Sequence, residues 1–116
     1  MELKKIFIKF ISTIAALWAA EYLLSGVKVD GIESFATAAI VLGIVNTFVK
    51  PLIILFTLPI TLLSLGTFIF IINGIMVLLT SYLVPGFEIS SFGDGLICAI
   101  IIFVVNFVAD MLFKKE

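Results

Sequence analysis

No histidine occurs in the 116 residues, and cysteine occurs once, at Cys98. The absence of histidine removes the commonest general base, the imidazole metal ligands and the usual nucleophile–base triads. One cysteine excludes an internal disulfide and any thiolate metal cluster, so Cys98 reads as a small packing residue inside a helix. Charge is scarce as well: charged residues are 13% of the chain and the net charge is −1, which leaves no basic surface for nucleic acid. No catalytic, cofactor-binding or metal-binding residue is therefore expected.

Hydrophobic residues supply 63% of the sequence, well above the ~45–50% of soluble domains. A soluble fold of this length could not hide that surface, because small domains bury only ~60–70% of what their unfolded chains expose. A bilayer removes the difficulty, and one transmembrane domain, residues 1–116, is the natural reading. Lys4 and Lys5 followed by Ile6–Leu17 resemble the start of a signal peptide. Trp18, however, stands where a cleavage site before Glu21 needs a small residue, which argues against removal.

A span needs ~20 mostly apolar residues. Four are expected, at about Ile6–Leu24, Phe35–Lys50, Gly66–Val84 and Gly95–Phe113, with polar loops at Gly26–Ser34 and Pro85–Asp94. Pro51–Leu65 is apolar, short and punctuated by Pro51 and Pro59, which predict breaks or bends. It reads as a fifth span, a re-entrant segment or an interfacial one. Lysine placement selects among these. With four spans Lys4, Lys5, Lys9, Lys50, Lys114 and Lys115 all face the cytoplasm and only Lys28 lies outside, whereas a fifth span would move Lys114 and Lys115 outward. The expectation is a multi-pass protein of the bacterial inner membrane with both termini cytoplasmic and Pro51–Leu65 at the inner face. Tyr22 and Tyr82 then sit at the outer headgroup level, as an aromatic belt requires.

Displaced by 60 residues, the chain matches itself without a gap: Phe10, Tyr22, Leu23, Gly26, Ala39, Val45 and Asn46 fall on Phe70, Tyr82, Leu83, Gly86, Ala99, Val105 and Asn106. The loops agree too, Gly-Val-Lys-Val against Gly-Phe-Glu-Ile. This predicts an all-α fold of two helical hairpins, about 6–50 and 66–116, joined by the proline-broken connector 51–65. Both copies enter from the inside, so they should be parallel, related by an axis along the membrane normal.

Polar side chains within spans mark interfaces or pathways. Asn46, Asn73 and Asn106 share one depth near the cytoplasmic helix ends, with Lys50 one turn beyond Asn46 and Asp110 one turn beyond Asn106. Lys50 and Asp110 occupy equivalent repeat positions with opposite charges, so an approach across the axis is expected, against separate snorkelling to the headgroups. The layer reads as interhelical hydrogen bonding, as an ion or proton route, or as residues that share no site. Small residues recur every four positions, at Ser12, Ala16 and Ala20 and again at Ala39, Gly43 and Thr47. That pattern lets helices approach closely, either between the first two spans or at a seam with a second copy.

Asn46-x-x-x-Lys50-Pro51, followed by Pro59, Gly66 and Asn73, resembles the phage holin superfamily IV, the mycobacterial four-span type. The likeness covers most of the chain, most clearly from the second span onward. It implies four spans and a role in membrane permeabilisation. Three functions follow: a holin-like protein that alters permeability, a structural or regulatory envelope protein without a pore, and a small channel or transporter. The polar groups cluster at one depth, which argues against a large constitutive pore. No small-molecule substrate is indicated; the expected partners are the lipid bilayer and further copies of the chain.

Overall fold

The computed structural model describes residues 2–113. Helix α1 covers Glu2–Leu23, strand β1 Val27–Val29 and helix α2 Gly31–Phe56; a short α3, Leu58–Leu63, leads to α4, Phe68–Leu83, strand β2, Phe87–Ile89, and α5, Phe92–Phe113. The four long helices form a ring: α1 packs on α5, α5 on α4, α4 on α2, and α2 back on α1. The core is a stripe on each helix, Ala16, Leu17 and Ala20 on α1, Ala38, Leu42 and Val45 on α2, Ile72, Met76 and Val77 on α4, and Cys98, Ala99 and Ile102 on α5. Most other apolar side chains point outward, as a bilayer-embedded bundle requires.

Among the described residues, three helices are long and apolar enough to cross a membrane: Leu3–Leu23, Gly31–Phe56 and Phe92–Phe113. α4 is apolar but only 16 residues long, about 24 Å at 1.5 Å per residue. That is short of a ~30 Å hydrocarbon core, a mismatch that local thinning or flanking segments can absorb. Two tight turns, Ile69 N–H to Gly66 O and Phe70 N–H to Thr67 O, extend it at its start.

The segments expected to be plain polar loops contain strands. β1 and β2 pair antiparallel, with Val27 opposite Ile89, Lys28 opposite Glu88 and Val29 opposite Phe87. Asp30 N–H to Gly86 O at 2.7 Å and Ser90 N–H to Gly26 O at 2.8 Å continue the pairing at both ends. The fold is thus helical with a small ribbon across one end. Val27, Val29 and Phe87 turn inward and plug that end, while Lys28 and Glu88 face out. Three-residue strands alternate too briefly to give a periodic signal. The ribbon is tied to α1 by Val29 N–H donating to Glu21 Oε2 at 3.1 Å. Gly86, at φ +88, lets the chain enter β2, and a Cβ there would lie 2.3 Å from Ser34 Oγ.

A break at Pro51 is not observed. α2 runs through Pro51 to Phe56. The proline removes one helical donor, but ending the helix in apolar surroundings would orphan several backbone groups at once. The interruption falls at Thr57, whose N–H and hydroxyl both donate to Ile53 O, at 3.0 and 2.8 Å. Pro59 lies in the first turn of α3, where its missing donor costs nothing. α3 ends in a Schellman pattern: Gly66 N–H reaches Thr61 O at 2.9 Å and Leu65 N–H reaches Leu62 O at 3.1 Å. Leu65, at φ 58, occupies the left-handed position that glycine usually takes.

Candidate functional site

At the end of the bundle away from the ribbon, a cavity of about 260 Å³ opens between all four long helices. Asn46 and Lys50 reach it from α2, Asn73 from α4, and Asn106 and Asp110 from α5; all five residues of the expected polar layer line this one cavity. Lys9 of α1 joins them. Leu42, Val77, Ala99 and Ile102 close the inner end. Along α5 the lining runs from Asp110 to Ala99, about 16 Å at 1.5 Å per residue.

Polar partnering in the cavity is unequal. The Ser12 hydroxyl of α1 donates to Asn106 Oδ1 of α5, with Lys9 O at 3.0 Å as its other acceptor. Asn46 Oδ1, by contrast, is buried with no hydrogen-bond partner. Lys50, half-buried, and Asp110, exposed, share the cavity without an ion pair within 4 Å of each other. Among the described residues no group of His, Cys, Asp and Glu could hold a metal ion. Lys114 and Lys115 lie outside the described residues.

Of the small residues, Ala16 and Ala20 are fully buried and Ala39 nearly so. Gly43 does not pack: a Cβ built there meets nothing within 4 Å, because it lies off the α2 stripe of Ala38, Ala39, Leu42 and Val45. The close glycine approach occurs elsewhere. A Cβ on Gly74 would lie 2.7 Å from Leu96 Cδ2, and one on Gly95 would lie 3.0 Å from Leu78 Cγ and 3.5 Å from Gly74 O. The glycines Gly74 of α4 and Gly95 of α5 thus let those helices meet.

Besides the apolar inner end, sequence reasoning did not place Lys9, Phe103 or Phe107 at the cavity. Lys9, expected only to face the cytoplasm, is exposed and lies one turn before Ser12, where it lines the cavity. Phe103 and Phe107 form one rim of the cavity and are half-exposed outward. Their rings stack at 6.2 Å, and Phe70 meets Phe103 edge-on at 6.3 Å.

Apolar helices long enough to cross a bilayer, packed around an apolar core with a polar cavity at one end, define a helical integral membrane protein. Within that class, the chain belongs to the family described as mycobacterial 4 TMS phage holin, superfamily IV, whose model matches residues 4–108. It is similar to the uncharacterized membrane protein YvlD of Bacillus subtilis, 33% identical over 84 residues, 72% of this chain and 71% of that one. It is also similar to the uncharacterized protein SCO3922 of Streptomyces coelicolor, 31% identical over 105 residues, covering 85% of this chain and 84% of the relative. No solved structure matches it significantly.

Proposed function

We propose that the protein is a non-enzymatic, four-span component of the bacterial cytoplasmic membrane with both termini inside, and that a single chain is a closed bundle. Any change it makes in membrane permeability then requires several chains. One observation carries this reading: the end of the bundle beneath the ribbon is filled. Leu17, Val27, Met76, Thr80, Phe87 and Cys98 are each 0–1% exposed, so the cavity at the opposite end has no wettable continuation. A conduit needs such a continuation or a hydrophobic gate that opens.

The same reading treats the chain as two parallel copies of one hairpin. Residues 60 apart, Lys28 and Glu88, sit opposite each other at the centre of the ribbon, and the flanking hydrogen bonds exchange equivalent partners, Asp30–Gly86 and Ser90–Gly26. Buried positions recur at the same displacement: Ser12 and Ile72, Ala16 and Met76, Leu17 and Val77, Ala38 and Cys98, Leu42 and Ile102. These correspondences support a two-fold axis through the ribbon and along the bundle, with residues 51–65 as the link at the inner face.

Reconstitution into dye-loaded vesicles at decreasing protein density tests closure. We expect no leakage where vesicles hold single chains, and leakage at high density to rise more steeply than linearly or to stay absent. Leakage proportional to density down to one chain per vesicle would show that the monomer conducts and would overturn this reading.

A further inference from the structure

We propose that the inner cavity is a headgroup site for an anionic glycerophospholipid. The inference rests on the bilayer placement proposed above and goes beyond it by naming a ligand. Three features define what the cavity takes. Its charged lining, Lys9 and Lys50 against Asp110, sums to one net positive charge, which complements a phosphodiester and not a net-neutral headgroup. Asn46 Oδ1 is a buried acceptor with no donor in the chain; a headgroup hydroxyl supplies one, whereas a bare phosphate diester has no proton to give. Polar atoms buried without partners are costly, so a bound hydroxyl or water is the expected resolution at that atom.

The third feature separates a lipid from a small free phosphate. Phe103 and Phe107 belong both to the cavity rim and to the outer surface of α5, and Phe70 extends the aromatic strip on α4. A lipid seated with its phosphate between Lys9 and Lys50 has apolar ring faces beside it for the acyl chains. A cavity of about 260 Å³ lies just below the ~300–1,000 Å³ of pockets that enclose a whole drug-sized ligand, a volume suited to a headgroup whose tails remain in the bilayer. Basic pockets between spans on the cytoplasmic side are recognised anionic-lipid sites on general electrostatic grounds.

Titration of the purified full-length chain in neutral detergent, read by native mass spectrometry, tests the assignment. The probes are phosphatidylglycerol and phosphatidylcholine of identical acyl chains, with inorganic phosphate and glycerol 3-phosphate as competitors. We expect phosphatidylglycerol to bind about fivefold or more tighter than phosphatidylcholine, and Lys50→Gln to remove about fivefold, the worth of one lysine at an anionic headgroup. Lys28→Gln, at the far end, should leave affinity unchanged, and Asp110→Asn should raise it. Equal loss in Lys50→Gln and Lys28→Gln, or equal binding of the two lipids, would overturn the site. Displacement of the lipid by either soluble competitor at a similar concentration would overturn the lipid source in favour of a free phosphate. Should Lys50→Gln lose its helical signal, Asp110→Asn and Lys9→Gln decide alone: opposite shifts in affinity support the site, and no shift overturns it. Because the readout is binding in detergent, it fails independently of vesicle leakage and of topology.

Discussion

At the residue scale the packing is governed by where backbones approach, and glycine marks it. Gly74 and Gly95 hold α4 and α5 together. Gly74→Ile places a branched side chain where Leu96 already stands at 2.7 Å from the first added carbon, so it should cost about 1–3 kcal/mol and lower the thermal midpoint of the purified protein. Gly43→Ile, with open space around it, is the matched control and should be tolerated. Equal losses would mean that Gly43 is covered in the protein tested. The polar residues were the most legible part of the site, because an asparagine inside a span has few reasons to be there: Asn46, Asn73 and Asn106 all line the cavity. Their partners were not legible. Ser12 could be assigned to a small-residue stripe, but its hydrogen bond to Asn106 joins α1 to α5 across 94 residues of sequence, and spacing carries no information about which helices become neighbours.

At the scale of elements, the positions of the long apolar helices could be read from hydropathy, and helix ends could not. Pro51 predicts a bend or a break, and α2 continues through it to Phe56, since one missing donor costs less than unpairing several backbone groups in an apolar medium. Pro51→Ala restores a donor to the helix interior and should leave stability unchanged or raise it by about 1 kcal/mol; a clear fall in the thermal midpoint would show that the local shape imposed by proline is required. The α3 end provides the converse case. Leu65 pays for a left-handed conformation at φ 58, at roughly 1–2 kcal/mol, so Leu65→Gly should raise the midpoint. If it lowers the midpoint instead, the Leu65 side chain is anchoring the turn in the membrane interface. The ribbon was invisible to periodicity, yet its two strands are the loops whose sequences matched at the 60-residue displacement, Val-Lys-Val and Phe-Glu-Ile.

For the whole molecule, composition alone pointed to a bilayer, and the ring of helices with apolar flanks agrees with it. Membership of a family described by four spans sits beside three helices of full spanning length and one short apolar helix. The central claim is that all four cross, with the ribbon outside and the cavity and both termini inside. Cys98 is the single cysteine and is buried, so a Cys98→Ala background gives clean single-cysteine variants. The most direct measurement is labelling of Lys28→Cys, Lys5→Cys and Glu116→Cys in that background with a membrane-impermeant maleimide, in intact spheroplasts and after lysis. Labelling of position 28 in intact spheroplasts, with positions 5 and 116 reacting only after lysis, is the predicted result. Labelling of position 116 but not position 5 from outside, or protection of position 28, would contradict it.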